Sequence, residues 1–475
     1  GGSEVNSQMV RHGKTAEEPE EPTKAGYEFV AWLDGDVVYD FSTPVTESLR
    51  LTAAWQWDGT SVSYEWYGDG TAESYSLSSP MDLKGFANIV NGDDSQTPDN
   101  FANKTVVLEE AINLGNKAWK PIGVNETYQF HGSFDGGQNL ISNLSVSGYP
   151  DVAGLFGWKT DGALQNIWID NADIQGTDRV GTVVGAYYLD DVNIDQALLT
   201  GCQVSNSSIY GLQKRVGGIV GNFALANCQA DADIRITDNV VMDCEITADG
   251  YTGEAAGIAA QVWNESANLI LIKNNTVSDT SVQSASQYFG GVLGRLRNEM
   301  DNALFQIENC HAENVTVSDT GNGAGFCLGG IAGGCYSLNG TACYTFTNCS
   351  VKDSTISTTG MMQEGVSASG GLVGYNNYGN LDIENCTVDD TTVENNADIG
   401  GVLGHCTSTA KVSIADTDLS GLTVRGLKNV NRFIGNHPEA EEPTAEIIEN
   451  CTFVSGQVCT DGVCQTYDEE GLPLS

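Results

Sequence analysis

Positive charge is scarce in this chain of 475 residues: 21 Lys and Arg stand against 63 Asp and Glu, a formal net charge of −42. Such a field repels phosphate backbones and anionic bilayers, and few cations are available to displace their counterions, so nucleic acid is excluded as a partner. No apolar run approaches the roughly 18 residues of a membrane-spanning helix, and no membrane insertion is expected of this segment. CxxC, HExxH, GxSxG, GxxxxGK(S/T) and EF-hand patterns are all missing, which removes the simplest routes to zinc, hydrolase, nucleotide and calcium chemistry. The five histidines, His12, His131, His311, His405 and His437, form no motif. No signal peptide is evident, and residue 1 need not be a translation start, because Gly1 is not Met.

What the chain does hold is 56 Gly and 40% hydrophobic residues with only 18% charged, so its polar surface is built largely of Ser, Thr, Asn and Asp. That mixture suits strands and turns rather than helices. At about 150 residues per domain the length predicts roughly three domains, although regular repeats extend a single domain well beyond that.

Residues 1–56 are set apart by the acidic run Glu17-Glu18-Pro19-Glu20-Glu21-Pro22 followed by an aromatic cluster, Tyr27, Phe29, Trp32, Tyr39, Phe41 and Trp55. So many large apolar groups do not suit a disordered tail, and Tyr27-Glu28-Phe29 alternates at strand spacing. The segments Gly26 to Trp32, Tyr39 to Thr46 and Leu51 to Trp55 resemble, in order, the internalin-type B-repeat (Listeria-Bacteroides repeat) of bacterial surface proteins. The resemblance implies a small β-rich module used as a stalk or spacer. Such repeats begin with a strand ahead of the Gly-Gly matched by Gly1-Gly2, so the chain is expected to begin inside its first module.

From residue 133 onward one pattern recurs: apolar, any residue, turn residue, small or apolar residue, any residue, apolar. Its turn slot falls at Asn143, Asn166, Gly201, Asp243, Asn274, Asn309, Asn348, Asn385, Asp416 and Asn450. Asn, Asp and Gly tolerate left-handed backbone, so the slot predicts a bend between two short strands. Ile383 and Cys386, three apart, could not share a face of one straight strand, but a corner at Asn385 turns both inward. The coil then closes through Gly-apolar-x-Gly, as in Gly218 to Gly221, Gly291 to Gly294, Gly330 to Gly333, Gly371 to Gly374 and Gly401 to Gly404.

Coils of this length accommodate three strands and their turns, and a repeat that cannot bury its apolar side alone must stack on its neighbours. We therefore expect an all-β, right-handed parallel β-helix of about ten coils over residues 133–475, roughly 43 Å long. Residues 57–132 are expected to be its lead-in and N-terminal cap, with a helix at 107–115. The Gly motif and its Asn-Cys partner look like the GLUG repeat of bacterial surface adhesins, as do the lead-in segments Leu83 to Gly92 and Trp119 to Gly123. That resemblance implies architecture more than activity.

Grouped acids, as in polysaccharide lyases and glycosidases, occur only as Asp190-Asp191 and Asp389-Asp390, which share no slot in the repeat. No catalytic residue, metal ligand or resident cofactor is therefore assigned; Asp-rich turns leave calcium as the one open case. Eleven Asn-x-Ser/Thr sequons occur, five of them in the bend slot, where fold chemistry already explains the Asn. The cysteines that follow the bends, Cys202, Cys244, Cys310, Cys349, Cys386 and Cys451, are expected to point inward and stay reduced. Cys459 and Cys464 flank a turn, and Cys335 and Cys343 flank a loop, which makes them the disulfide candidates. The expected function is a non-enzymatic, extracellular or cell-surface adhesin-like rod whose lateral face meets a host or neighbouring-cell glycan or protein. The long coil insertions at 222–238 and 357–368, with Met361, Met362 and Trp263, are the places to look for contacts. A carbohydrate-active enzyme and a structural spacer or filament subunit are the alternatives.

Overall fold

The computed structural model describes residues 2–250, 253–285, 287–319, 326–358, 367–407, 409–438 and 446–474. In the N-terminal module the strand Tyr27–Asp34 lies antiparallel to Val37–Val38 and Thr52–Trp57, and Phe29 packs edge-on against Trp55. The module meets the rest of the chain through Lys117, whose Nζ is 2.6 Å from Glu28 Oε2, and through Gln56, which donates to Gly115 O at 2.6 Å.

Beyond it the chain is a parallel β-solenoid of about ten turns. Each turn carries five short strands rather than three, and these stack into five sheets. One turn runs Gly162–Gln165, Trp168–Asp170, Asp173–Gly176, Arg179–Gly181 and Val184–Asp190, here the first to fifth sheets. Strands such as Arg179–Gly181 span three residues and end in glycine, so in the sequence they read as turns. In-register stacking builds the core: Ile169, Val204, Val241, Val277, Ala312, Val351 and Val388 follow one another up the second sheet, all buried. Each such side chain contributes about 1.5–3 kcal/mol on burial, less for alanine.

All ten expected bend residues have φ between 47° and 65°. They belong to two corners rather than one. Between the first and second sheets stand Gln138, Asn166, Gly201, Asp238, Asn274, Asn309, Asn348, Asn385, Asp416 and Asn450. Between the second and third stand Asn143, Asn171, Asn206, Asp243, Asp279, Asn314, Asp353, Asp390, Gly421 and Ser455, and all of these have positive φ. Asn143 and Asp243 are therefore second-corner residues, which explains why the slots are unevenly spaced in the sequence. Side-chain amides tie the corners together: Asn309 Nδ2 donates to Asn274 Oδ1, and Asn274 Nδ2 to Asp238 Oδ1, both at 2.8 Å.

The expected helix at 107–115 is absent. Thr105–Leu108 and Ile112–Asn113 are strands, the first alternating between half-buried and buried positions. The ladders thus run back beyond residue 133, as far as Ser74–Leu77. Among the described residues the helix is α1, Pro80–Asn91: Ser79 Oγ accepts from Asp82 N–H at 3.1 Å, Pro80 occupies the first turn, and Gly92 closes it in left-handed geometry. Its Leu83, Phe86, Ile89 and Val90 are buried, and Phe86 meets Phe101, Phe130 and Phe134 at ring distances of 5.0, 5.3 and 6.0 Å, closing the apolar interior at this end.

Cys459 and Cys464 are joined by a disulfide across the antiparallel hairpin of Gln457–Thr460 and Val463–Thr466. Cys335 and Cys343 are not bonded to each other. Cys335 points into the core in register with Leu296 and Asn376, whereas half-buried Cys343 starts the next first-sheet strand and reaches Asp382 at 3.5 Å. The six bend cysteines are free. Five follow the first corner and Cys244 the second, and each thiol is directed at a carbonyl of the preceding coil, as Cys386 Sγ at Phe346 O, 3.5 Å.

Candidate ligand groove

The fourth and fifth sheets meet at the Gly-apolar-x-Gly motif. At this corner main chains of successive coils touch: a Cβ on Gly218 would lie 2.1 Å from Gly257 O, and one on Gly371 2.0 Å from Gly401 O. Only glycine fits there. Away from the corner the two sheets turn side chains toward each other along the length of the rod.

Register fixes what lines this groove. The fourth sheet supplies Arg179, Arg215, Glu254 and Tyr288 in successive coils. The fifth supplies one column of Trp158, Ala186, Asn222, Gln261, Arg295, Gly334, Tyr375 and His405. A second column, two residues further along each strand, holds Tyr188, Ala224, Trp263, Arg297 and Tyr336. Four of the nine arginines of this acidic chain, Arg179, Arg215, Arg295 and Arg297, thus gather on one face.

Glu254 is the hub, only 3% exposed. Arg215 Nε and Arg295 Nη1 each approach its carboxylate to 3.3 Å, and Gln261 Nε2 donates to Oε1 at 3.0 Å. Arg215 also donates to Gln261 Oε1 at 2.8 Å and pairs with Asp178 at 3.3 Å. Arg179 pairs with Asp151 and Asp178, and Arg297 with Glu299. The guanidinium groups lie over rings: Arg179 5.1 Å from Trp158, Arg295 4.9 and 4.6 Å from Tyr288 and Tyr336, Arg297 4.7 Å from Trp263. Such contacts hold both partners in place and contribute about 0.5–2 kcal/mol each. Burial pushes the Tyr288 and Tyr375 hydroxyls well up, so both remain neutral donors.

Further along, His405 Nδ1 lies 2.6 Å from Asp398 Oδ2, and Asp398 also accepts from Asn429 at 2.6 Å and Asn436 at 3.1 Å. Burial would raise the Asp398 carboxyl, but the hydrogen bonds from His405, Asn429 and Asn436 outweigh it and hold the group below its ordinary value. The Tyr375 ring lies 5.4 Å from the imidazole.

Of the residues singled out in the sequence, Trp263 is half-buried in this groove, whereas Met361 and Met362 lie outside the described residues. The expected insertion at 222–238 is mostly ladder: Val220–Asn227 and Asp233–Thr237 are strands joined by five residues. Asp190-Asp191 and Asp389-Asp390 are not brought together; burial, then Asp390 and Asp418, raise the Asp389 carboxyl. Among the described residues no group of three or more His, Cys, Asp or Glu is arranged to hold a metal ion. Sequence reasoning missed Arg215, Glu254 and Arg295, each of which directly follows or precedes a bland Gly-rich stretch. A repeat alignment would have shown charge in two slots: three places before the Gly-apolar-x-Gly position, where Arg179, Arg215 and Glu254 stand, and directly after it, where Arg295 stands.

A separate cleft of about 640 Å³ in the N-terminal module, between residues 5–12 and 45–51, is lined by Glu17, Glu47 and Arg50 as its acidic and basic side chains, all three exposed. Among the described residues no helix is long and apolar enough to cross a membrane.

The molecule is thus a parallel β-solenoid with a charged and aromatic lateral groove and a small β-rich module ahead of it. Residues 1–54 match the Listeria-Bacteroides repeat domain. Over 177 residues, 35% of the chain, the sequence is 33% identical to halomucin of Haloquadratum walsbyi, and this match spans 2% of halomucin's length. A solved structure from Bacteroides ovatus, described as a candidate immunoglobulin A1 protease, aligns over 62% of this chain and 81% of its own at 16% identity, with a TM-score of 0.44.

Proposed function

We propose that the chain is the rod of a bacterial cell-surface or secreted adhesin-like protein, extracellular and non-enzymatic, whose lateral groove contacts a host or neighbouring-cell glycan or protein. The observation that carries this reading is the gathering of arginines and aromatic rings around Glu254 on one face of a strongly acidic rod. Recognition surfaces favour Arg, Tyr and Trp, and four ordered guanidinium groups are costly to assemble without use. The Listeria-Bacteroides match at residues 1–54 supports a surface setting. The test is retention of the chain on mucin-coated and collagen-coated surfaces, with Glu254→Gln as the groove variant. Retention that the variant weakens supports the proposal, and retention that it leaves unchanged refutes the groove as the contact face.

A carbohydrate-active enzyme is the second reading, favoured by the Asp398–His405 pair beside Tyr375. A carboxylate that orients an imidazole is the arrangement a general base requires. Release of reducing ends from soluble polysaccharides, abolished by His405→Gln, would establish that reading in place of the first.

A further inference from the structure

We propose that Tyr188, Trp263 and Tyr336 form a platform for an uncharged, extended polysaccharide chain lying along the solenoid axis. The inference rests on the groove being the contact face and names the ligand class it takes.

Strand register places Tyr188, Ala224, Trp263, Arg297 and Tyr336 at one position of five successive coils, so an aromatic ring recurs at every second coil. Two coils of parallel strand spacing are roughly 9.6 Å, about the length of two pyranose rings in an extended chain. A chain that flips at each linkage presents the same sugar face only at every second ring, so the periods of platform and ligand agree. The three rings are half-buried rather than sealed in the core. The apolar C–H face of a sugar covers such a ring, while its hydroxyls require polar partners.

The adjoining column supplies those partners. Asn222, Gln261 and Arg295 stand in the three middle coils, beside Ala224, Trp263 and Arg297. Asn222 is 2% exposed, and its Oδ1 has no hydrogen-bond partner within the protein. Buried polar oxygens are normally paired, and a sugar hydroxyl at the groove is a donor of the right kind.

Charge decides between neutral and anionic chains. Each of the four groove guanidinium groups already has a carboxylate: Asp151 and Asp178 for Arg179, Asp178 and Glu254 for Arg215, Glu254 for Arg295, and Glu299 for Arg297. No uncompensated cation remains among them for a sulfate or uronate, and a net charge of −42 repels a polyanion as a whole.

The test is calorimetric titration of the full chain with cellohexaose, N-acetylated chitohexaose and mannohexaose as neutral probes and a heparin hexasaccharide as the anionic one. At least one neutral probe is expected to bind, with affinity hardly altered by about 0.5 M salt. Trp263→Ala and Tyr336→Ala are each expected to weaken it about tenfold, while Trp263→Phe stays within about threefold. If Trp263→Ala lowers the thermal midpoint, Tyr336→Leu, which keeps the buried area without the aromatic face, is decisive. Heparin binding that salt abolishes, or neutral binding indifferent to these changes, overturns the inference. Failure of every neutral probe while Glu254→Gln still weakens retention on collagen overturns the ligand class alone and leaves the groove as a contact face. Failure of both removes the two readings together.

Discussion

Asn239 Nδ2 donates to Asn275 Oδ1, 3.0 Å away in the next coil, at the position that Cys202 fills one coil before and Cys310 one coil after. This column follows the first corner and is buried throughout these coils. Asn275 also donates to Ile236 O at 2.8 Å and accepts from Asn239 N–H at 3.2 Å, so its amide serves three groups of the preceding coil.

Replacing Asn275 by Ala therefore removes, within the core, the acceptor shared by the Asn239 side-chain and main-chain N–H groups and a donor to Ile236 O. We expect a loss of about 1–3 kcal/mol, read as a lower denaturant midpoint. Asn275→Cys, which puts in this slot the residue found there in five other coils, is expected to cost less than Asn275→Ala. An equal loss in the two variants would refute the ladder as the cause.

The ion cluster gives a larger effect. Glu254 stands between Arg215 and Arg295 with its side chain 5% exposed. Glu254→Ala leaves two partly buried guanidinium groups without it, and we expect a loss of about 3–5 kcal/mol. Adding Arg295→Met should restore part of that stability, because it removes one of the stranded charges. A double variant no more stable than Glu254→Ala, measured in urea, would show that the cluster does not act as a unit.

The bends were legible because left-handed backbone selects Asn, Asp and Gly, and the apolar residues beside them mark the core. The two corners merged in the sequence because both draw on the same three residue types: Asn166 and Asn171 are chemically alike and only five residues apart. The helix was misplaced for a different reason. Val107 to Ile112 offers apolar spacing compatible with a helix, but Thr105-Val106-Val107 is β-branched and pairs with both Ser74–Leu77 and Ser133–Asp135. Pro80 at the first turn was the better start signal. Of the groove only Trp263 was read, because Arg215, Glu254 and Arg295 are about forty residues apart and ladder register is what brings them together.

Lys159 yields a pH prediction. It is fully buried, lies 5.1 Å over the Phe130 ring and 5.0 Å over that of Tyr187, and burial pushes its amine down to about 7, against a smaller opposing effect of Asp161. Above its ordinary value of 10.5 the amine is neutral both folded and unfolded, so burial of charge costs nothing. Between 10.5 and about 7 only the unfolded chain holds the proton, and stability falls as pH falls; below about 7 the full cost remains. Lys159→Met should therefore stabilise the protein at neutral pH by an amount on the order of a few kcal/mol, with no gain at pH 11. Thermal midpoints that differ equally at pH 7 and pH 11 would exclude titration as the cause.

Cysteine chemistry separates the two ends of the same argument. In the column, Cys310, Cys349 and Cys386 occupy successive coils and are buried, with each thiol turned toward a carbonyl of the coil before it. Parallel side chains projecting in one direction keep such thiols side by side, and neither solvent nor reagents reach them. In the terminal hairpin Cys459 and Cys464 instead face each other across antiparallel strands, where a bond closes without moving the backbone. Alkylation in denaturant without prior reduction, followed by peptide mass mapping, should find eleven labelled cysteines and one linked pair, Cys459 with Cys464. Alkylation without denaturant should label Cys343 and Cys451, the two half-buried thiols, ahead of the nine buried ones. A Cys349–Cys386 linkage in the unreduced protein would mean that side-by-side projection does not keep stacked thiols apart, and the packing argument for the column would fail.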